Sequence, residues 1–218
     1  MLGYKGLPFE VEWVEFPDIA PRMKELGAAL GKTSGGTEQY TLPVLRDPNT
    51  GAIITDSWEI AVYLDNTYPE KPVFPEGTKG LISAFATMFS DQMRPAIKFP
   101  LVRVAEALNE RSAEYYITTR QIQFNQKIED WSPEGPEREK HWSIFEKALA
   151  TGKAVYDKTE GKWLMGNTFS YADILTASGL FWFKRVLRDD EWKRIAAWHD
   201  GHWERLLADV ERECKVIQ

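Results

Sequence analysis

The chain has 218 residues, with 43% hydrophobic and 28% charged side chains and a net charge of −6. That length buries a sizeable core in one or two domains. Nucleic-acid binding works by neutralising phosphate with Lys and Arg, so an acidic chain without a basic cluster argues against it. A single cysteine, Cys214, excludes an internal disulfide and fits a reducing, cytoplasmic setting. No apolar run reaches the length of a membrane span, and "MLGYKGLPFEVEW" carries no signal-peptide pattern.

Phe9, Val11, Trp13 and Glu15 alternate with Glu10, Glu12, Val14 and Phe16, which predicts a strand over Phe9–Phe16. "PDIAPRMKELGAAL" is rich in helix formers and leads into the glycine-rich run Gly27–Gly36. That run contains Gly, Lys and Thr in phosphate-loop order. The spacing is wrong, however, because Gly27 and Gly31 enclose three residues where a phosphate loop needs four. The flanks also run helix to strand rather than strand to helix, so the run reads as a mobile loop. "TLPVLRD" predicts a second strand, "DPNTG" (Asp47–Gly51) a turn, and "AIITD" a third strand closing a hairpin. "SWEIAVYLDNTY" then puts Ile60, Ala61, Leu64 and Tyr68 on one helical face.

Residues 68–80 carry three prolines and two glycines and read as a linker. Beyond them the pattern is helical throughout. Amphipathic segments are predicted at about Leu81–Leu108, Ala113–Glu129, Pro136–Lys158, Tyr171–Leu187 and Glu191–Glu213. The expected fold class is therefore α+β with two domains, a small α/β domain at 1–67 and an all-α domain at 81–218.

Four groups of residues carry possible chemistry or folding signals. Leu42-Pro43 lies between extended stretches, where proline belongs at an edge or bulge. A cis bond there would turn the preceding backbone N–H and C=O outward. Asp56-Ser57 stands between a strand and a helix. Ser57 is the expected N-cap, the helix end suits a carboxylate, and Asp56 suits an ammonium group, so the pair fits the head of an α-amino acid. A plain helix cap explains the same two residues. Ser170 and Asp173 form a capping box, with Phe169 and Ile174 as a hydrophobic staple, and this is a folding signal. His199 and His202 share a helical face, but no third ligand is evident, so no metal is expected.

In this order the pieces resemble the glutathione transferase superfamily. "TLPVL" is similar to its cis-proline motif, Asp56-Ser57 to its acidic-plus-serine pair, and "GNTFSYADI" to its capping box. "YKGLPFEVEWVEFPDIAP", "YTLPVLRDPNTGAIITDSWEIAVYLDNTYP" and "FPEGTKGLISAF" resemble the fungal FuA class, which is related to bacterial β-aryl etherases. The resemblance implies a thioredoxin-like first domain, a helical-bundle second domain and glutathione as co-substrate. Leu42 would pair its backbone with the cysteinyl part, Pro43 would be cis, and Asp56 and Ser57 would hold the γ-glutamyl end. The glycine-rich run would lie at the rim, with Lys32 or Gln39 near the glycyl carboxylate. Phe85, Met88, Phe89 and Met93 share one side of a helix, which suits core packing. In this family that helix also borders the pocket for a hydrophobic aromatic co-substrate.

In this family a first strand and most of a helix precede the position of Tyr4, and they supply the residue that activates the glutathione thiol. Here Met1, Leu2 and Gly3 stand there. The expectations are thus a truncated thioredoxin-like domain, an unknown catalytic residue outside this chain, and no thiol activation by the usual route. Two functional classes stay open. One is a cytoplasmic transferase of detoxification type, working by thiol conjugation or thiolytic cleavage. The other is a non-catalytic, ligandin-type carrier or degenerate relative. The resemblance also implies a homodimer.

Overall fold

The computed structural model describes residues 1–32 and 36–215, with Lys32 described by its backbone alone. The chain divides into two compact units, Met1–Val73 and Phe74–Gln218. The first is α/β and the second is helical, which matches the expected fold class.

In the first unit, one helical turn, α1 (Leu2–Lys5), ends at Gly6 in the left-handed region. Helix α2 (Ile19–Leu26) ends the same way at Gly27, with φ +76°. Strands β1 (Gly31–Lys32) and β2 (Glu38–Gln39) pair antiparallel, so Gly31-Lys32 of the glycine-rich run is extended. Residues 33–35 of that run lie outside the described residues. Strands β3 (Val44–Arg46) and β4 (Ile53–Thr55) form the expected hairpin, which leads into α3 (Ser57–Thr67).

The strand predicted at Phe9–Phe16 does not form. Residues 7–15 have no regular structure, and a short 3-10 turn begins at Phe16. Alternation lets a segment be a strand, but a strand forms only when a neighbour takes its backbone N–H and C=O groups. Among the described residues, β1 to β4 pair only with one another. Phe9 (40%), Val11 (58%) and Trp13 (91%) are accordingly exposed.

Lys5 holds the first unit together from inside. Its ammonium meets Asp65 at 2.8 Å and donates to the carbonyls of Tyr68 (2.8 Å), Glu70 (3.1 Å) and Lys71 (3.3 Å). Asp65 also accepts from the Val73 N–H. A buried charge is tolerated only when paired and hydrogen-bonded in this way. The contact joins α1 to the end of α3 and to the chain that follows it.

In the second unit, α4 (Lys79–Met93) stops before Pro95, and α5 (Lys98–Val104) follows a short 3-10 turn. The sequence pattern reads as one helix over 81–108. Proline breaks it, because it removes an N–H and crowds the carbonyl four residues back. Then come α6 (Glu110–Phe124), α7 (Pro136–Tyr156), α8 (Tyr171–Val186) and α9 (Asp189–Cys214). Helix α4 packs on α7 and α8, and α9 packs on both of those. The core between them is aromatic. Phe99 meets Trp142 at 4.2 Å and Phe145 meets Phe183 at 4.8 Å, both edge to face. Phe89 lies over Gly152, where a Cβ would come within 2.7 Å of its ring.

Helix α9 is broken at Trp198–Gly201. His199 (φ 53°), Asp200 (φ 55°) and Gly201 (φ 72°) are all left-handed. The sequence reading of His199 and His202 on one helical face is therefore corrected. Left-handed residues cost about 1–2 kcal/mol each for ordinary L side chains. No sequence signal other than Gly201 marks this turn.

The capping box of α8 is present and buried. The Asp173 carboxylate accepts from Leu164 N (2.8 Å), Ser170 N (3.0 Å), Ser170 Oγ (3.0 Å) and Tyr156 Oη (3.1 Å). Ser170→Ala removes one of these donors and is expected to cost about 1 kcal/mol. Asp173→Ala strands all of them and is expected to cost at least about 3 kcal/mol. Urea midpoints of the two variants test this order. For the first unit, Lys5→Met leaves Asp65 without its cation. The expected loss is about 3–5 kcal/mol, read as faster proteolysis within residues 1–73.

Candidate functional site

The β3–β4 register places Val44 opposite Thr55. Leu42-Pro43 immediately precedes Val44, and Asp56-Ser57 immediately follows Thr55. The hairpin therefore brings the two sequence-distant pairs to one end. The Leu42-Pro43 bond is cis. Leu42, Pro43, Asp56 and Ser57 are all exposed.

Asp56, not Ser57, is the N-cap of α3. Its Oδ1 accepts from Trp58 N (2.7 Å) and Glu59 N (3.3 Å), and Ser57 is the first helical residue. The cap sits one residue earlier than the sequence suggests. Asp56 takes that place at φ 81°, a region that favours glycine. Such a backbone costs about 1–3 kcal/mol at a non-glycine residue and concentrates at functional sites. Both capping bonds use Oδ1. Among the described residues Oδ2 makes no bond, so a negative oxygen stays available beside the Ser57 N–H and hydroxyl.

The rim is built by the segment after α2. Thr55 Oγ1 donates to the Ala29 carbonyl at 3.2 Å. A Cβ on Gly31 would lie 2.7 Å from Thr41 Oγ1, so a larger residue there would push the Thr41 side chain aside, next to Leu42-Pro43. Gln39 is exposed on β2, and the side chain of Lys32 lies outside the described residues.

The other end of the hairpin is locked by Asp47, which the sequence marks only as the start of a turn. Asp47 accepts from Tyr63 Oη (2.7 Å), Tyr68 Oη (2.7 Å) and Asn49 N (2.9 Å). Both tyrosines come from α3 or its C-cap, so the lock fixes the hairpin to the helix that presents Ser57. Tyr63 and then Tyr68 hold the Asp47 carboxyl below its usual range.

The four residues expected at a hydrophobic pocket fall on α4. Phe85, Phe89 and Met93 are buried, and Phe85 stacks on Phe89 at 5.7 Å and meets Tyr156 edge-on. Met88 is half-buried. Cys214 is buried, and burial pushes its thiol up, away from the reactive thiolate. Among the described residues, no cluster of three or more His, Cys, Asp or Glu could hold a metal, and no helix is long and apolar enough to cross a membrane.

A separate cavity of about 270 Å³ in the second unit is lined by Arg103, Arg138, Arg188 and Arg194 with Glu134, Glu139, Asp190 and Glu191, beside Trp142. At its base Glu191 accepts from Arg103 at 2.9 Å and from Arg138. Arg188 pairs with Glu106 and Arg194 with Glu139. Cations and carboxylates balance there, and the cluster is a structural ion network.

Residues 1–67 match the family model described as "Glutathione S-transferase, N-terminal domain", and residues 80–212 match "Glutathione S-transferase, C-terminal domain". The chain belongs to the glutathione transferase family, with a thioredoxin-like first domain and a helical second domain. Within it the chain is FuA-like. It is 38% identical to CsGST63524 of Ceriporiopsis subvermispora, solved in complex with glutathione, with TM-score 0.90 over 100% of this chain and 88% of that one. It is 33% identical to GSTFuA2 of Phanerochaete chrysosporium, with TM-score 0.84 over 97% of this chain and 86% of that one. It is 30% identical to the glutathione S-transferase-like protein ustS of Aspergillus flavus, over 94% of this chain and 78% of the relative.

The lowered Asp47 pKa has a defined pH signature. Its stabilisation is full above the unfolded carboxyl value of about 4 and is lost as pH falls through the lower folded value. Hydrogen exchange of the hairpin amides between pH 6 and pH 2.5 is expected to show this loss. Asp47→Asn is expected to lower protection at pH 6 and flatten the acid limb.

Proposed function

We propose that the protein binds glutathione at the open end of the β3–β4 hairpin and presents its sulfur to a hydrophobic aromatic co-substrate, for thiol conjugation or thiolytic cleavage. The observation that carries this reading is the meeting of Leu42-Pro43 with Asp56-Ser57 on one exposed edge. In this reading the Leu42 backbone pairs with the cysteinyl residue as a short antiparallel ladder. The γ-glutamyl carboxylate receives the Ser57 N–H and hydroxyl at the start of α3, where helix-end donors favour an anion. The γ-glutamyl ammonium meets Asp56 Oδ2. The glutathione-bound relative supports the same ligand. Residues 1–67 serve as the glutathione domain, 68–80 as the linker and 81–218 as the helical domain. On α4, half-buried Met88 is the contact for the aromatic co-substrate, with Phe85, Phe89 and Met93 supporting it from the core.

Asp56 separates binding from folding in a single variant. Asp56→Gly removes the carboxylate but suits φ 81°, and glycine replaces an N-cap at a cost of only a few tenths of a kcal/mol. The expected outcome is stability within about 1 kcal/mol of wild type. Glutathione affinity is expected to fall at least about tenfold in calorimetric titration, the loss of one charge-assisted hydrogen bond. Unchanged affinity would sink the proposed site. Turnover decides between the two functional classes. Thioether formation from glutathione and an aryl chloride, with release of chloride above the uncatalysed rate, marks a transferase. Binding without turnover marks a carrier.

A further inference from the structure

We propose that the Trp198–Gly201 break in α9 is an acid-opened hinge, held shut while His202 is neutral and the His199 ring accepts from Trp203. The argument starts from two ring nitrogens. His199 Nδ1 lies 2.8 Å from Trp203 Nε1, and the indole N–H can only donate, so Nδ1 must carry no proton. A proton there breaks this bond and leaves the N–H of a fully buried tryptophan without its partner. His202 Nε2 is buried and has no hydrogen-bond partner. Its ring is packed 5.3 Å from Tyr156 and 4.7 Å from Trp203. A charged imidazolium there would carry an N–H that no acceptor reaches, in a place where water does not replace one.

The surrounding charges do not rescue it. On α7 and just past its end, Lys153 opposes a proton on His202 and Asp157 favours it, but these two residues are paired with each other. On α9 itself, Arg205 and His199 oppose it. Burial, then Lys153, pushes His202 down to about 4. An opened hinge returns the His202 ring to water, where imidazole takes a proton near pH 6.5. The closed state therefore keeps its full advantage above that pH and loses it as pH falls from 6.5 towards 4.

The backbone is poised for the change. His199, Asp200 and Gly201 are consecutive left-handed residues, and two of them are not glycine. That turn persists only while the surrounding contacts hold it. Trp203, Leu206, Leu207, Val210 and Cys214, all buried, follow it on the last stretch of α9. Opening the hinge loosens that stretch before the rest of the unit.

The test is native-state hydrogen exchange on the full chain, corrected for the intrinsic pH dependence of exchange. Between pH 7 and pH 5 the protection of amides 198–206 is expected to fall at least about tenfold, while α8 amides hold. In the double variant His199→Asn with His202→Phe, that fall is expected to vanish. Asparagine suits the left-handed backbone and keeps an acceptor for Trp203, and phenylalanine keeps the packed ring. Constant protection in the wild type, or the same fall in the double variant, overturns the proposal. If the double variant does not fold, wild-type imidazole titration by NMR decides. A His202 midpoint near 6.5 with amides 198–206 still protected rejects the hinge, and a midpoint well below it, accompanied by their deprotection, supports it.

Discussion

The antiparallel register that sets Val44 opposite Thr55 is the constraint on which the candidate site rests. A slip of one residue would send each side chain of the hairpin to the opposite face. It would also separate Pro43 from Asp56. The turn keeps the register. Asp47 donates its N–H to the Ala52 carbonyl and accepts from the Gly51 N–H, and its carboxylate is closed over by two tyrosines. One buried acid at the closed end of the hairpin thus fixes what happens at the open end.

The parts of this fold that were legible in the sequence are those whose signal is local. The β3–β4 hairpin follows from "DPNTG" between extended runs. The start of α8 follows from Ser170 and Asp173. The break after α4 at Pro95 is missed, because the apolar pattern runs on through it to Leu108. The other unreadable parts depend on distant partners. Phe9–Phe16 has strand alternation, yet no described strand pairs with it. Lys5 looks like one more surface lysine until α3 brings Asp65 beside it. The left-handed His199 and Asp200 depend on how Trp203 and Tyr156 pack. At the candidate site the four residues were legible as motifs, but their roles were not. Which of Asp56 and Ser57 caps α3 is decided by a backbone angle that no composition encodes.

Three buried carboxylates show how differently the chain handles one problem. Asp47 is closed by neutral hydroxyl donors near the surface, and those bonds hold it below the usual range. For Glu191, burial raises the carboxyl, but the guanidiniums of Arg103 and Arg138 outweigh it, and the net shift is down. For Asp173, burial again comes first, and its donors carry no charge, so the net shift is up. Depth sets the penalty, and only a full opposite charge overcomes it at depth. Asp173 is thus the most demanding of the three, because it relies on geometry alone.

The same distinction explains why the proposed ligand belongs at Asp56 rather than in the arginine-lined cavity. An acidic tripeptide is attracted by guanidinium groups, and that cavity has four of them. Each is already committed to a carboxylate, and an entering anion would have to displace one of those partners. At Asp56 the two capping bonds use one oxygen and leave the second at the exposed edge of the hairpin. An ammonium gains a partner there without displacing any. The adjoining Ser57 N–H and hydroxyl offer the complementary donors within one residue. A zwitterionic amino-acid head matches that pair of opposite demands, whereas a simple anion or a simple cation satisfies only one of them.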